Sequence, residues 1–252
     1  MYDPAAVATY VITGGPVPAP ATGSTVVQVY GSGVWTSFLT SDGTLMFRGN
    51  NASGVAGDGT VVAVTGLSKP VASSVREIVG PDSYNSTNAH SYIATNGAWF
   101  VTGRNNSYKL MLSAAPATGV NTWTSAPLPY PNIQIVQAYM GDNNVVFLDS
   151  FGAIYISGLG NSGQRGIGYS PISNQLNNQI WTKAPLAGPC VGFRCSFQNA
   201  IDLGVVALTT NGLLSVWGSS GLDFYANFVD IVSPMQLPVY GTDNGIDLLP
   251  IS

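Results

Sequence analysis

The chain has 252 residues, of which 45% are apolar and only 8% are Asp, Glu, Lys or Arg, with a formal net charge of -4. That balance excludes a disordered chain and helices carrying charged faces, and eight scattered Lys and Arg cannot track a phosphate backbone or an acidic membrane. Neither a nucleic-acid partner nor membrane insertion is expected; 30 Gly and 16 Pro punctuating runs of Val, Ile, Tyr, Phe and Thr predict a single all-β domain.

Met1 to Ser24 has no basic segment leading into an apolar core, so no signal peptide is expected. The first strong element is Phe38 to Gly49, an apolar strand end, a turn at Asp42-Gly43, a second apolar strand and a second glycine. The same arrangement returns at Tyr92 to Gly103, Phe147 to Gly158 and Ala207 to Gly218. Its glycines fall six residues apart every time, as Gly43 and Gly49, Gly97 and Gly103, Gly152 and Gly158, and Gly212 and Gly218. Asp-Gly or Asn-Gly at three of the four turns is the chemistry of a tight hairpin needing positive φ.

Ahead of each hairpin lies another β-rich run, at Val26 to Tyr30, Val75 to Val79, Ile133 to Tyr139 and Cys190 to Cys195, which makes three strands per unit. Pro followed by Val or Leu marks each unit, at Pro16, Pro70, Pro127, Pro185 and Pro238. Trp123-Thr124-Ser125-Ala126-Pro127-Leu128 nearly repeats as Trp181-Thr182-Lys183-Ala184-Pro185-Leu186, a mark of duplication. Thr9 to Gly14 aligns with Thr44 to Gly49, so the two terminal segments are expected to pair within one blade and close a ring without exposed sheet edges. The resulting expectation is a β-propeller of about five blades. Four are repeats, at 16–69, 70–126, 127–184 and 185–237, and the closing blade is built from 238–252 with 1–15.

At the hairpin and the loop after its second glycine the sequence resembles the repeat of the regulator of chromosome condensation family. The first unit keeps Leu39, Thr40, Asp42, Gly43, Gly49, Asn51, Gly54, Gly57 and Gly59; the third keeps Gly152, Tyr155, Gly158, Gly163, Gln164, Gly166 and Gly168; the fourth keeps Leu208, Thr209, Gly212, Trp217 and Gly218. The resemblance implies the propeller fold. The family's usual seven blades and repeated His are not kept, and no basic chromatin-binding face exists, so the founding member's nucleotide exchange on a small GTPase does not carry over.

Catalytic and cofactor sites are not expected. The literal G-x-G-x-x-G at Gly158 to Gly163 runs on into Gly166, Gly168 and Pro171 and cannot open a helix, so it is a blade turn and not a dinucleotide cradle. His90 is the only histidine, which rules out a metal cage or triad needing a second one and points to a structural hydrogen-bonding role. Cys190 and Cys195, five apart on one strand, are expected on opposite faces, unbridged and reduced. Asp42, Asp58 and Asp149 fall at or beside repeated turns, where Asp bonds the local backbone.

Trp99, Trp217 and Tyr155 sit at strand positions and read as blade core. The candidate partner surface is assigned to loop aromatics and amides: Trp35, Tyr84, Asn85, Asn88, Asn105, Asn106, Tyr108, Tyr169 and Tyr225. The function expected is a non-enzymatic binding or structural module without cofactors. The favoured setting is a virion fibre, tail or decoration protein folded in a cytosol and displayed on a particle, meeting other structural proteins, a host-surface receptor or glycan, or further copies of itself. A lectin-like glycan-binding module and an intracellular protein-interaction propeller are the alternatives.

Overall fold

The computed structural model describes residues 23–80, 89–105, 108–112, 119–141, 143–159, 163–166, 181–196, 204–218 and 231–238. The first sheet holds β1 (Val26–Gly31), β2 (Trp35–Thr40), β3 (Leu45–Gly49) and β4 (Val64–Ala72). The second holds β5 (Val75–Val79), β6 (Ala89–Ala94), β7 (Trp99–Gly103) and β8 (Val120–Ala126). The third holds β9 (Ile135–Met140), β10 (Asn144–Asp149), β11 (Ile154–Gly158) and β12 (Thr182–Lys183), and the fourth β13 (Cys190–Ser196), β14 (Gly204–Thr209), β15 (Leu213–Gly218) and β16 (Ile231–Pro238). Each sheet is an antiparallel meander in chain order, which is the blade expected of a propeller. The expected closing blade lies outside the described residues apart from Pro238.

All four hairpins form where the glycine pairs place them. The N–H of the first glycine closes a four-residue turn onto the carbonyl of Thr40, Ala94, Asp149 or Thr209. Only the glycine of each turn has positive φ, at 80°, 85°, 81° and 78°, so the loop has three residues with the glycine in the left-handed position. The residue before it supplies a side-chain acceptor. Thr40 Oγ1 and the Thr44 N–H both donate to the Asp42 carboxylate, and these bonds hold its pKa down to about 2. Asn96 and Asn211 accept from the backbone at the same place. In the third blade Phe151 occupies that position, and Asp149 at the start of the turn accepts from the Phe151 and Ala153 N–H groups instead.

Three strands per unit was one too few. The segment leading up to the Pro marker is a fourth, outer strand, as at Val120–Ala126, where Asn121, Thr122 and Ser125 are exposed and only Ala126 is buried. An outer strand packs on one partner only, so its apolar alternation is weak. Pro70 sits in such a strand opposite Met46, where a missing N–H costs nothing. The cysteines are free, as expected, but they do not lie on opposite faces. A bulge between Cys190 and Gly192 shifts the register, so Cys190 pairs with Thr209 and Cys195 with Val205, four apart on β14, and both pack on the same apolar cluster.

Blades bury their faces against each other. Leu39 and Leu45 of the first blade pack with Val75, Ile78 and Tyr92 of the second. Trp99 and Val101 of the second pack with Ile135, Met140 and Phe147 of the third, and Val146, Ile154 and Ile156 of the third pack with Phe193, Val205 and Trp217 of the fourth. Val26 and Val29 on β1 are 45% and 59% exposed, while the residues in the same register on β5, Val75 and Ile78, are 3% and 2% exposed because a preceding blade covers them.

Side-chain amides stitch two of these seams. Gln28 follows the bulge in β1 and exchanges two hydrogen bonds with the backbone of Ile78, its Nε2 donating to the carbonyl at 3.0 Å and its Oε1 accepting from the N–H at 2.8 Å. Gln137 follows the equivalent bulge in β9 and does the same with Phe193, at 2.8 and 3.1 Å. The matching position in the second blade is Glu77, which pairs in register with Ile93 as Gln28 does with Leu39. A carboxylate cannot donate to a carbonyl, and burial pushes the Glu77 pKa up from 4.5 against the opposing pull of Arg76. A raised folded-state pKa means stability that is present at low pH and is lost as pH rises through it. Replacing Gln28 or Gln137 by Ala should cost about 1–3 kcal/mol, read as a fall in melting temperature of roughly 2–4 °C per kcal/mol. Glu77→Gln should raise the melting temperature at pH 7 and leave it unchanged at pH 4; equal effects at both values would contradict the clamp.

Candidate functional site

Beyond the second glycine of the first and second hairpins, at the end of the blades opposite the hairpin turns, the chain folds into a compact loop. Asn51 staples the first loop, accepting from the Ala56 N–H at 2.8 Å and donating to the Thr60 carbonyl at 3.0 Å. Asn105 does the same in the second, accepting from the Leu110 N–H at 2.8 Å and donating to the Leu112 carbonyl at 2.9 Å. Two left-handed residues shape each turn. They are Gly54 and Gly57 in the first loop and Gly163 and Gly166 in the third, but Tyr108 and Met111, at φ 57° and 59°, in the second.

The first loop lies against the second blade. The Gly59 N–H donates to the Asn121 carbonyl at 2.8 Å, the Asn121 amide returns a bond to the Gly59 carbonyl at 2.9 Å, and Thr102 Oγ1 donates to the Gly54 carbonyl at 2.7 Å. The approach is close enough that a Cβ on Gly54 would stand 2.7 Å from Asn121, so glycine is required there. Under this loop His90 is fully buried between Trp35 and Trp123, with ring centroids at 4.8 and 5.2 Å. Its Nδ1 is 3.2 Å from the Val55 carbonyl, which can only accept, so Nδ1 carries the proton and Nε2 accepts from Ser37 Oγ at 3.1 Å. Burial lowers its pKa to about 4 against the pull of the Val55 carbonyl. Ser37 is 0% exposed as well, so this Ser–His contact has no substrate access and no nucleophilic role.

Between the first loop and β8 lies a cleft of about 460 Å³ lined by Ala52, Ser53, Val61, Arg104, Asn121 and Thr122, among others. Val61 and Val62 stand exposed at 57% and 70%. Asp58, on the neighbouring stretch of the loop, is taken up by Lys69, Thr60 and Asn51. Asp149 accepts from the Tyr130 hydroxyl at 2.7 Å in addition to its turn. Among the described residues no three His, Cys, Asp or Glu side chains gather to hold a metal.

Of the expected surface residues, Trp35 is 2% exposed and stacks on Phe47, and Asn105 is 0% exposed and serves as a loop staple. Both are interior. Tyr108 is half-buried on its loop. Tyr84, Asn85, Asn88, Asn106, Tyr169 and Tyr225 lie outside the described residues. Trp99 and Trp217 are core, and Tyr155 packs beside it. The cleft was not legible in the sequence, because Val61 and Arg104 belong to successive units and only the fold brings them together.

No protein-family model matches the sequence, and no curated protein sequence matches it. Solved structures do. Yeast RCC1 (Prp20) bound to Kap60 superposes with a TM-score of 0.67 at 17% identity, over 87% of this chain and 50% of that one. Prp20p from Saccharomyces cerevisiae, described with its binding to Gsp1p and histones, gives 0.65 at 17% identity over 87% and 52%. Human WBSCR16 gives 0.60 at 21% identity over 85% and 53%. The chain thus has the RCC1-like β-propeller fold and spans about half the length of these structures.

The buried His90 predicts a pH signature. Its folded-state pKa lies below the unfolded 6.5, so its share of stability is complete above 6.5 and is lost as pH falls toward 4. His90→Gln keeps both hydrogen bonds available without the charge. The difference in melting temperature between wild type and His90→Gln should therefore shift in the variant's favour between pH 6.5 and 4, and parallel curves would contradict the buried neutral imidazole.

Proposed function

We propose that this chain is a non-enzymatic protein-interaction propeller whose working surface is the loop end of its blades, where the first loop meets the second blade and the second loop meets the third. Tyr108 carries the proposal. Its backbone is left-handed where the sibling loops have Gly54 and Gly163, a conformation that costs an L-residue about 1–2 kcal/mol. Tyr108 is only partly buried, so part of its surface stays open to a partner. Strain kept at a surface position is a mark of function, and Tyr is among the side chains that concentrate binding energy in protein interfaces.

The chemistry of the loop end agrees. There His90 is sealed in the core and Asp58 is committed to Lys69 and Thr60, which leaves aromatic, apolar and cationic surface for recognition. Two of the similar structures are described with protein partners, Kap60 in one case and Gsp1p and histones in the other, which supports the class of function and names no partner for this chain. The finer reading, a virion or particle component in contact with structural proteins or a host receptor, rests on composition: sparse charge with abundant Gly, Ser, Thr and Asn.

Tyr108→Gly separates stability from function. The variant should melt higher by roughly 2–4 °C per kcal/mol of relieved strain and should lose the protein that co-purifies with wild type. A more stable Tyr108→Gly chain that retains the same partner at the same yield would overturn the assignment.

A further inference from the structure

We infer that the cleft between the first loop and β8 is a recognition site for an acidic side chain of a partner protein, with Arg104 as the carboxylate receptor and Val61-Val62 as its apolar flank. The inference rests on the reading of this end of the blades as an interaction surface and specifies what it recognises.

Lys69 is paired with Asp58, Arg76 donates to the Ile135 carbonyl, Arg194 to the Phe193 carbonyl, and the buried Lys109 to the Gly141 carbonyl. Arg48 and Arg165 are engaged as well. Among the described residues, Arg104 is exposed and makes no hydrogen bond or ion pair, and it is the cation that lines a cleft. Lys183, also without a partner there, stands on the outer strand β12, where a lysine discourages pairing with another sheet.

The walls around Arg104 are fixed in advance. Gly54 and Asn121 meet at a distance only glycine permits, and Gly119, at φ 57°, has no room for a Cβ against the backbone of Gly103 and Arg104. Thr102 Oγ1 stands between Gly54 and Val120, its one proton shared between their carbonyls at 2.7 and 3.1 Å, which links the loop to β8. A planar guanidinium in a preformed cleft binds a carboxylate through two parallel N–H bonds at little ordering cost, and the hydroxyls of Ser53 and Thr122 line the same space. The acid in the first loop does not compete, because Lys69 and Thr60 hold Asp58. Val61 and Val62, 57% and 70% exposed, extend the cleft with apolar surface that suits a Val, Leu or Ile beside the acid.

The test uses capped Val-Glu-Val and Val-Gln-Val peptides, titrated into the full chain and followed by NMR at the Arg104 Nε–H and the Val61 and Val62 methyls. The expected result is saturation by the Glu peptide at about millimolar concentration, binding at least tenfold weaker by the Gln peptide, and loss of the Glu preference in Arg104→Gln with its melting temperature unchanged. Equal binding of the two peptides, no saturation by either, or an Arg104→Gln chain that still prefers Glu would overturn the inference. Tyr108→Gly should bind the Glu peptide like wild type. Failure of the peptide test alone therefore removes the carboxylate site, while failure of the Tyr108 trade-off alone removes the wider interaction reading.

Discussion

The structure depends on the seam between consecutive blades. A four-stranded antiparallel sheet of mostly five- to seven-residue strands cannot bury both faces by itself, and here the facing sides of consecutive blades bury each other, with Trp99 packed on Phe147 and Ile154 in one cluster with Trp217. The seams are sandwiches of Leu, Ile, Val and aromatic side chains with a polar thread along the first strands. The glycine of a hairpin turn accepts from the next blade's first strand, Gly43 from Val75 at 3.0 Å and Gly152 from Cys190 at 2.8 Å. Close approach to the next blade is what Gly152 permits, since a Cβ there would lie 2.6 Å from Pro189; at Gly97 and Gly212 the space is open and positive φ alone favours glycine.

That dependence explains which parts of the fold were legible in the sequence. Hairpins declared themselves because two constraints act locally, a left-handed turn residue and a second glycine whose Cβ would stand 2.5 Å from Trp35, and both demand glycine at fixed spacing. The outer strands did not, because each packs on one neighbour only and tolerates exposed Asn121, Thr122 and Ser125 as readily as apolar residues. Bulges were equally hidden. The one after Cys190 reverses the face of everything beyond it, and nothing in Cys190-Val191-Gly192 announces it.

The site was harder to read. Trp35 and Asn105 have the composition of a binding loop, yet their surroundings turn inward: the tryptophan stacks on Phe47 beside His90, and the asparagine satisfies the N–H of Leu110 and the carbonyl of Leu112. Residue type alone cannot distinguish a surface amide from a staple. Comparison among the repeats can, since the same Asn in the first loop bonds Ala56 and Thr60, and since Tyr108 stands out only against Gly54 and Gly163. The departures from the repeat, Tyr108 and Glu77 among them, carry the functional and mechanical information; the regularities carry the fold.

The central claim is that side-chain clamps and packed faces lock successive blades into one body. Amide hydrogen exchange at Ile78 and Phe193 tests it most directly, because in each case the N–H is held by a glutamine from the preceding blade. The account predicts that both amides exchange as slowly as those within β6 and β14, and that Gln28→Ala accelerates Ile78 alone while Gln137→Ala accelerates Phe193 alone. Fast exchange at both positions in the wild-type chain, at the rate of an exposed loop, would contradict it.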